Sequence, residues 1–135
     1  MKKTLMLLSA AFILFSTSCS KDDDNTDCAE TVAGAAGTYK VTKMLVNGTD
    51  LYPAMDACTK SGTLVLKADK TLTYTETASC SGDGTGTWDI VGNTITITHS
   101  GNGDDFAGTV VNNCSNLQVT EAGGGFTVVT TLSKQ

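Results

Sequence analysis

The chain has 135 residues, with nine lysines, no arginine and fourteen acidic side chains, so its net charge is −5 when the single histidine is neutral. A negative chain lacks the positive surface that nucleic acid and anionic lipid attract, and without arginine it lacks the best side chain for bidentate phosphate recognition. These features argue against nucleic-acid binding, phosphoryl transfer and nucleotide binding. The length suits one small domain.

The N-terminus has the three-part layout of a secretory signal peptide. Lys2 and Lys3 precede an apolar run over residues 5–15, and small residues at 16–18 precede Cys19. The apolar run is too short to span a bilayer. The layout predicts export and removal of residues 1–18, which leaves seven lysines against fourteen acidic residues and a net charge of −7.

The segment Ser16-Thr17-Ser18-Cys19 resembles the processing site of bacterial lipoproteins. The resemblance implies that the Cys19 thiol carries a diacylglycerol with palmitate-type chains, which anchors the protein to a membrane. Residues 20–24 are similar to the acidic export tag of surface lipoproteins in some Gram-negative bacteria, which implies the outer membrane, with its periplasmic or its cell-surface face. Ordinary signal-peptidase cleavage is the alternative, because the same small residues satisfy its rule. Residues 19–35 are interpreted as an acidic flexible tether.

Four cysteines remain once Cys19 is assigned to lipid, and an even number in an oxidising compartment predicts two disulfides, for which three pairings exist. With a two-residue turn at Asp69-Lys70, the residue numbers of two opposed strand positions would add to about 139. Cys58 and Cys80 sum to 138. We therefore pair these two at the open end of that hairpin, which leaves Cys28 with Cys114. A zinc site is the alternative, but the spacing of the cysteines does not fit a C-x2-4-C pattern.

The body of the chain alternates apolar and polar residues with period two and has a single proline, which indicates short antiparallel strands. A short helical turn is predicted near residues 53–57, beginning at Pro53. Tight turns are predicted at Asn47-Gly48 and Gly92-Asn93. Strands away from these turns are predicted over residues 62–68, 71–78, 106–111, 117–120 and 126–132. The fold class is therefore all-β, a small up-and-down antiparallel meander barrel of about eight strands, because closure removes the exposed edges of a sheet.

The alternation also assigns the two faces of the strands. Apolar side chains are expected inside, and a threonine face is expected outside, where it tolerates water while keeping β-branched stiffness. The expected outer threonines are Thr71, Thr73, Thr75, Thr77, Thr85, Thr87, Thr94, Thr96 and Thr98.

Three short features make residues 36–135 resemble the bacterial lipocalin-like lipoprotein family. They are Gly37-Thr38-Tyr39, the cysteines at 58 and 80 around the next hairpin, and Gly86-Thr87-Trp88. The resemblance implies an up-and-down barrel that holds one apolar ligand at its mouth. Many lipocalins open with Gly-x-Trp and cover the tryptophan with a late arginine. Here Tyr39 takes the place of the tryptophan, and Lys134 is expected to cover it.

Inward-facing side chains are the candidates for contact with such a ligand, and the alternative is that they simply fill a narrow core. Tyr74 and Trp88 need hydrogen-bond partners when buried, so we expect them to face the polar end of a ligand or a trapped water. The candidate ligand-lining residues are Tyr39, Leu64, Leu66, Leu72, Tyr74, Trp88, Ile95 and Ile97.

Three functional classes remain: a barrel that binds a small apolar or amphipathic ligand, a non-catalytic surface interaction or structural module, and an enzyme. The second would use the loops 48–61, 79–85 and 101–105 toward a protein or glycan partner of unknown identity. We expect no enzymatic activity, no cofactor and no metal. His99 is the only histidine and falls at a strand end, where a rim position is expected, and residues 101–105 lack the order of a calcium loop.

Overall fold

The computed structural model describes residues 28–101 and 105–135, which form an all-β domain with three short helical segments. The helices are α1 (Val32–Ala35), a 3-10 turn (Tyr52–Ala54) and α2 (Ala57–Ser61). The strands are β1 (Gly37–Val46), β2 (Thr49–Asp50), β3 (Thr63–Leu66), β4 (Thr71–Thr75), β5 (Gly84–Val91), β6 (Thr94–His99), β7 (Phe106–Asn112), β8 (Asn116–Gly123) and β9 (Phe126–Lys134). The predicted signal peptide, the lipidation site Cys19 and the first part of the predicted tether lie outside the described residues.

The strands close into an eight-stranded up-and-down barrel. From β3 to β9 each strand pairs antiparallel with the next, and β9 pairs with β1, which in turn pairs with β3. The two-residue strand β2 extends only the far end of β1. Within the described residues the closure leaves no long unpaired edge, so the predicted fold class is confirmed.

The barrel has two ends, which we call the closed end and the mouth. The closed end carries α1 and the turns 67–70, 92–93 and 113–115. The mouth carries the connections 47–62, 76–83 and 124–125 and the described residues of the connection 100–105. The described residues of all three loops predicted for partner contacts therefore lie at the mouth.

Two tight turns follow the predicted chemistry. Asn47 and Gly48 have φ of 49° and 83° between the paired residues Val46 and Thr49, and two consecutive positive φ values suit a type I′ hairpin. Gly92, with φ of 63°, begins the predicted turn between β5 and β6.

The predicted two-residue turn at Asp69-Lys70 is wrong by one position. The Lys67 N–H donates to the Thr71 carbonyl at 2.9 Å, and Leu66 pairs with Leu72, so the loop has three residues. Its last residue, Lys70, has φ of 68°, which is the left-handed residue of a three-residue hairpin. Opposed positions consequently sum to 138, not 139.

Other boundaries also differ from the prediction. The strand predicted over 62–68 ends at Leu66, where the turn at the closed end begins, and the strand predicted over 71–78 ends at Thr75, where the chain leaves the sheet at the mouth. The helical turn predicted near residues 53–57, beginning at Pro53, is a 3-10 turn over Tyr52–Ala54 with Pro53 as its second residue, and α2 was not predicted. Strand β8 runs to Gly123, beyond the predicted 117–120, and its hairpin is closed by the two glycines at 124 and 125.

The first part of the barrel wall contains a β-bulge. Val41 pairs with Leu132, whereas Lys43 pairs with Thr131, so one extra residue, Thr42, is inserted into β1. The insertion reverses the inward and outward alternation, so Met44, paired with Thr130, continues the face of Val41.

The faces follow the predicted alternation in β4, β5 and β6. The threonines of these strands are exposed except for half-buried Thr73, and Thr77 lies beyond the end of β4. The apolar face forms the core. Its buried members are Ala35, Tyr39, Leu66, Leu72, Trp88, Ile90, Ile95, Ile97, Val110, Leu117, Val119 and Leu132.

The interpretation of residues 19–35 as a flexible tether is wrong for residues 28–35. Cys28 is bridged to Cys114, Ala35 is fully buried, and Val32 packs against the core. The Thr31 hydroxyl caps α1 by accepting from the Gly34 N–H. Residues 28–35 therefore cover the closed end as part of the domain.

Candidate ligand-binding cavity

The interior of the barrel contains a cavity of about 260 Å³. Its inner part is formed by fully buried side chains, among them Tyr39, Leu66 and Ile95, and its outer part by half-buried ones, among them Phe106 and Thr130. The half-buried residues lie on the mouth side of their strands, so the cavity faces the mouth. Its wall comprises Tyr39, Val41, Gly62, Leu64, Leu66, Tyr74, Ile95, Ile97, His99, Phe106, Val119, Glu121, Thr130 and Leu132.

Six of the eight predicted lining residues are in this wall, and Leu72 and Trp88 are not. Both are buried near the closed end, where Leu72 pairs with Leu66 and Gly86 across the sheet. Period-two alternation assigns the inner face correctly, but it does not give the height of a residue along the barrel axis. The prediction that Trp88 faces a ligand is therefore corrected.

Trp88 meets its hydrogen-bonding need within the fold. Its indole N–H donates to the carbonyls of Lys67 at 3.0 Å and Thr71 at 3.1 Å, which belong to the turn between β3 and β4. The ring is 2% exposed. Trp88 thus joins the barrel wall to that turn and closes the end opposite the mouth.

Tyr39 forms the floor of the cavity. Its hydroxyl donates to the Ala35 carbonyl of α1 at 2.8 Å, and burial raises the pKa of this hydroxyl. Lys134 is its cross-strand partner, and a Cβ at Gly37 would lie 2.7 Å from the Lys134 Cε and 3.3 Å from the Tyr39 ring. The stem of Lys134 and the tyrosine ring therefore both lie beside Gly37, which agrees with the expectation that Lys134 covers Tyr39.

Tyr74 is the polar group of the predicted set at the mouth. Its hydroxyl donates to Glu76 Oε1 at 3.1 Å, and Glu76 Oε2 accepts the Gly82 N–H at 3.0 Å. Burial, followed by the hydrogen bond and negative charge of Glu76, raises the pKa of Tyr74 to about 12. The hydroxyl is thus neutral at physiological pH, with its proton directed to Glu76 and its oxygen lone pairs available.

Gly62 makes room for this arrangement. A Cβ at position 62 would overlap the Tyr74 hydroxyl and approach the ring carbons, at 2.5 Å for Cζ. A side chain there would have to displace Tyr74 from the cavity wall. Gly62 also ends α2, so one residue both stops the helix and admits the tyrosine.

The Cys58–Cys80 disulfide ties α2 to the loop between β4 and β5, with 5.6 Å between the two Cα atoms. The predicted pairing of all four cysteines is therefore found, although β3 and β4 stop pairing at Thr63 and Thr75, well before the bridge. Asp56 caps α2 by accepting the Thr59 N–H at 2.9 Å, and hydrogen bonds from Thr59 hold the pKa of Asp56 below its usual value.

The donor groups near the Cys58–Cys80 disulfide do not fit a metal site. Cys58, Glu76 and Cys80 have donor atoms within 4.8 Å of one another. However, the two sulfurs are bonded to each other, and a disulfide sulfur is not the thiolate that zinc requires. The carboxylate of Glu76 is also engaged with Tyr74 and Gly82.

Several wall residues were not among the predicted ones. Apart from Gly62 and His99, they come from β1 and from the last three strands of the barrel, and include Val41, Phe106, Glu121 and Thr130. The alternation of buried Leu117 and Val119 with exposed neighbours could have placed Glu121 on the same face. The bulge in β1 carried no comparable signal.

His99 ends β6 at the mouth, half-buried in the cavity wall, which agrees with the predicted rim position. Its backbone N–H donates to the Asp105 carboxylate at 3.0 Å. Of the predicted loop 101–105, residues 102–104 lie outside the described part of the chain. None of the helices within the described residues has the length and apolar character needed to cross a membrane.

Comparison with known proteins gives one family. The sequence model described as a lipocalin-like domain matches residues 36–119. No curated protein and no solved structure gives a significant match.

Proposed function

The chain belongs to the lipocalin-like domain family, and from that premise we propose that it is a lipid-anchored outer-membrane lipoprotein whose barrel binds a small apolar or amphipathic ligand. The observation that carries the binding proposal is the cavity of about 260 Å³ behind the mouth. Its wall is mostly hydrocarbon with a few polar groups near the opening, which is the composition of small-molecule sites.

The size of the cavity limits the ligand. One water occupies about 30 Å³ in the liquid, so the cavity suits a molecule on the order of ten non-hydrogen atoms. An alkyl chain of about eight carbons would fill it, and the burial of each CH2 would contribute about 0.8 kcal/mol. We propose binding without a chemical step, because the wall offers mainly packing surface.

Binding can be followed at the isoleucine methyl groups. Ile95 and Ile97 are in the cavity wall, whereas Ile90 is buried outside it. In the full chain held in phosphatidylcholine nanodiscs and labelled with 13C at isoleucine methyls, n-octanol is expected to shift the signals of Ile95 and Ile97 saturably. The signal of Ile90 is the internal reference, since partition of octanol into lipid would not select between these methyls.

A matched pair of variants on β3 tests the location. Leu64 is in the cavity wall, and Val65 faces the other side of the strand. Leu64→Trp is expected to fill the cavity and abolish the saturable shifts, and Val65→Trp is expected to preserve them. Unchanged methyl signals in the native protein at saturating octanol would refute the binding proposal.

The anchor is supported by the signal-like N-terminus and by Cys19, and it requires a separate test. Native mass spectrometry of protein extracted gently from its own membrane should give a chain that begins at residue 19, carries acyl mass and retains two disulfides. An unmodified chain with another N-terminus would refute the anchor without affecting the binding proposal.

A further inference from the structure

The polar groups of the cavity wall are concentrated near the mouth, and they include one carboxylate. Among the described wall residues, Glu121 is the only one with a carboxylate, and none is a lysine. Glu121 is half-buried and follows Val119 on the inner face of β8. Its carboxylate accepts no hydrogen bond from a described residue, so it is available to a ligand.

Tyr74 adds a second acceptor to the same wall. Because its proton is directed to Glu76, the hydroxyl presents lone pairs and not a donor to the cavity. Glu76 is in turn held by the Gly82 N–H, which keeps the acceptor of the Tyr74 proton in place. Thr130 contributes a further hydroxyl to the wall.

The rim around the cavity has the same sign of charge. The described connections at the mouth and the wall carry six carboxylates and one lysine. That lysine, Lys60, donates to the Pro53 carbonyl at 2.8 Å and lies over the Tyr52 ring at 5.6 Å, so it is held on the loop. A low-dielectric cleft with a rim of one sign concentrates ligands of the opposite sign. The carboxylates are those of Asp50, Asp56, Glu76, Asp83, Asp105 and Glu121.

We propose that the cavity takes a small amphiphile with a positively charged amine, whose apolar part fills the interior and whose ammonium group lies at the mouth against Glu121 and Tyr74. The inference rests on the proposed ligand binding and names the chemical class of the ligand. An ammonium group has three donors and no acceptor, which complements a carboxylate and a tyrosine oxygen. A carboxylate-ended ligand would face Glu121 as a like charge, without a wall lysine to neutralise it.

Three probes with the same tail separate the charge from the apolar contribution: n-octylamine, n-octanol and n-octanoate at neutral pH. The probes are titrated against the full chain in neutral nanodiscs, with the methyl signals of Ile95 and Ile97 as the readout and Ile90 as the reference. We expect octylamine to bind about fivefold more tightly than octanol, as a partly exposed charged contact would give, and octanoate to bind more weakly than octanol.

Two substitutions of Glu121 assign the preference to the wall. Glu121→Gln should remove the preference for the amine, lowering the ratio of octylamine to octanol affinity about fivefold. Glu121→Lys should reverse the order of octylamine and octanoate. The control is Glu30→Gln, which makes the same change in net charge at the closed end and should alter none of the three affinities.

The outcomes separate the two proposals. Saturable octanol binding without a preference for octylamine, or with a preference for octanoate, would overturn the amine proposal and leave ligand binding standing. A preference for octylamine that persists in Glu121→Gln would also overturn it. If none of the three probes shifts the methyls of Ile95 and Ile97, ligand binding itself fails, and the amine proposal fails with it.

Discussion

The closed end and the mouth of the barrel each have a disulfide and an aromatic residue, but the two ends use them differently. The closed end has a disulfide, a buried tryptophan and α1. Every hydrogen bond of Trp88 and Tyr39 described above is made to another group of the protein. At the mouth, a second disulfide and a second tyrosine hold loops around an opening. The closed end therefore stabilises the fold, and the mouth holds the proposed binding surface in place.

The closed end and the mouth also differ in their charged residues. Among the described residues, the segment 28–35, the turn 67–70 and the adjoining strand residues Asp89 and Lys134 supply three acidic residues and three lysines to the closed end, and one pair of them, Lys70 and Asp89, forms a salt bridge at 2.9 Å. The described connections at the mouth, together with the cavity wall, have six carboxylates and one lysine. Unbalanced charge costs stability through repulsion, so its concentration at the end that holds the cavity is consistent with a role in recognition. The residues at the closed end are Glu30, Asp69, Asp89, Lys67, Lys70 and Lys134.

The largest expected difference between the ends concerns their disulfides. The Cys28–Cys114 bridge spans 86 residues, and the Cys58–Cys80 bridge spans 22. In the chain-entropy model, replacing the first pair with alanine should lower the free energy of unfolding by about 4.5 kcal/mol, and replacing the second by about 3.5 kcal/mol. Urea unfolding followed by circular dichroism measures both losses.

Ligand affinity should show the reverse order. Removal of the Cys58–Cys80 bridge frees α2 from the loop beside Tyr74 and should weaken octanol binding, whereas removal of the Cys28–Cys114 bridge should leave binding close to that of the native protein. A greater loss of octanol affinity without the Cys28–Cys114 bridge would contradict the division of the barrel into a stabilising end and a binding end.

The next effect concerns the aromatic side chains of the two ends. Trp88→Phe removes the indole N–H and part of a fully buried ring, and should cost about 2 kcal/mol. The Lys67 and Thr71 carbonyls each retain a backbone partner, which limits the loss. At the mouth, Phe106→Leu should cost less than about 1 kcal/mol, because Phe106 is half-buried beside an open cavity.

Urea unfolding by circular dichroism compares the two variants without relying on tryptophan fluorescence. Octanol binding is the second readout, since Trp88 lies outside the cavity wall and Phe106 lies in it. Trp88→Phe should leave octanol affinity unchanged, and Phe106→Leu should alter it. A loss of binding in Trp88→Phe would show that the closed end is not independent of the mouth.

The sequence predicts the architecture well where pattern alone determines it. Strict alternation in β4, β5 and β6 defines the inner face, because threonine and apolar residues rarely exchange places there. The dipeptide Asn47-Gly48 likewise predicts its turn, because few other residue pairs accept two positive φ values. These are local properties, and a single sequence contains them.

The parts that the sequence did not predict depend on three-dimensional context. The bulge at Thr42 and the left-handed Lys70 have no distinctive residue to mark them. The height of Trp88 along the barrel depends on strand stagger, which is a property of closure. The burial of Ala35 requires knowledge of the barrel end that it covers. The cavity wall was consequently predicted on the correct face but not at the correct depth.

The smallest expected effect is the change in the free energy of unfolding at alkaline pH. It depends on Tyr39 at the closed end and Tyr74 at the mouth. The pKa of Tyr74 is raised to about 12 and that of Tyr39 is also raised, so both hydroxyls keep their protons in the folded state after the unfolded chain has begun to lose them near pH 10. Their contribution is therefore complete below pH 10 and is lost as pH rises toward 12.

Tyr74→Phe isolates the contribution of the mouth. Between pH 9 and pH 11 the native protein should lose free energy of unfolding, and about 1 kcal/mol or less of that loss should disappear in Tyr74→Phe, since water partly screens the half-buried hydroxyl. The remaining slope belongs to Tyr39, whose hydroxyl is enclosed by α1 and donates to Ala35. If the slope is the same in the native protein and the variant, Tyr74 ionises as a solvent-exposed tyrosine, and the hydrogen bond to Glu76 does not hold its proton. The acceptor role assigned to its oxygen would then have to be withdrawn, although Glu121 would still offer a carboxylate at the mouth.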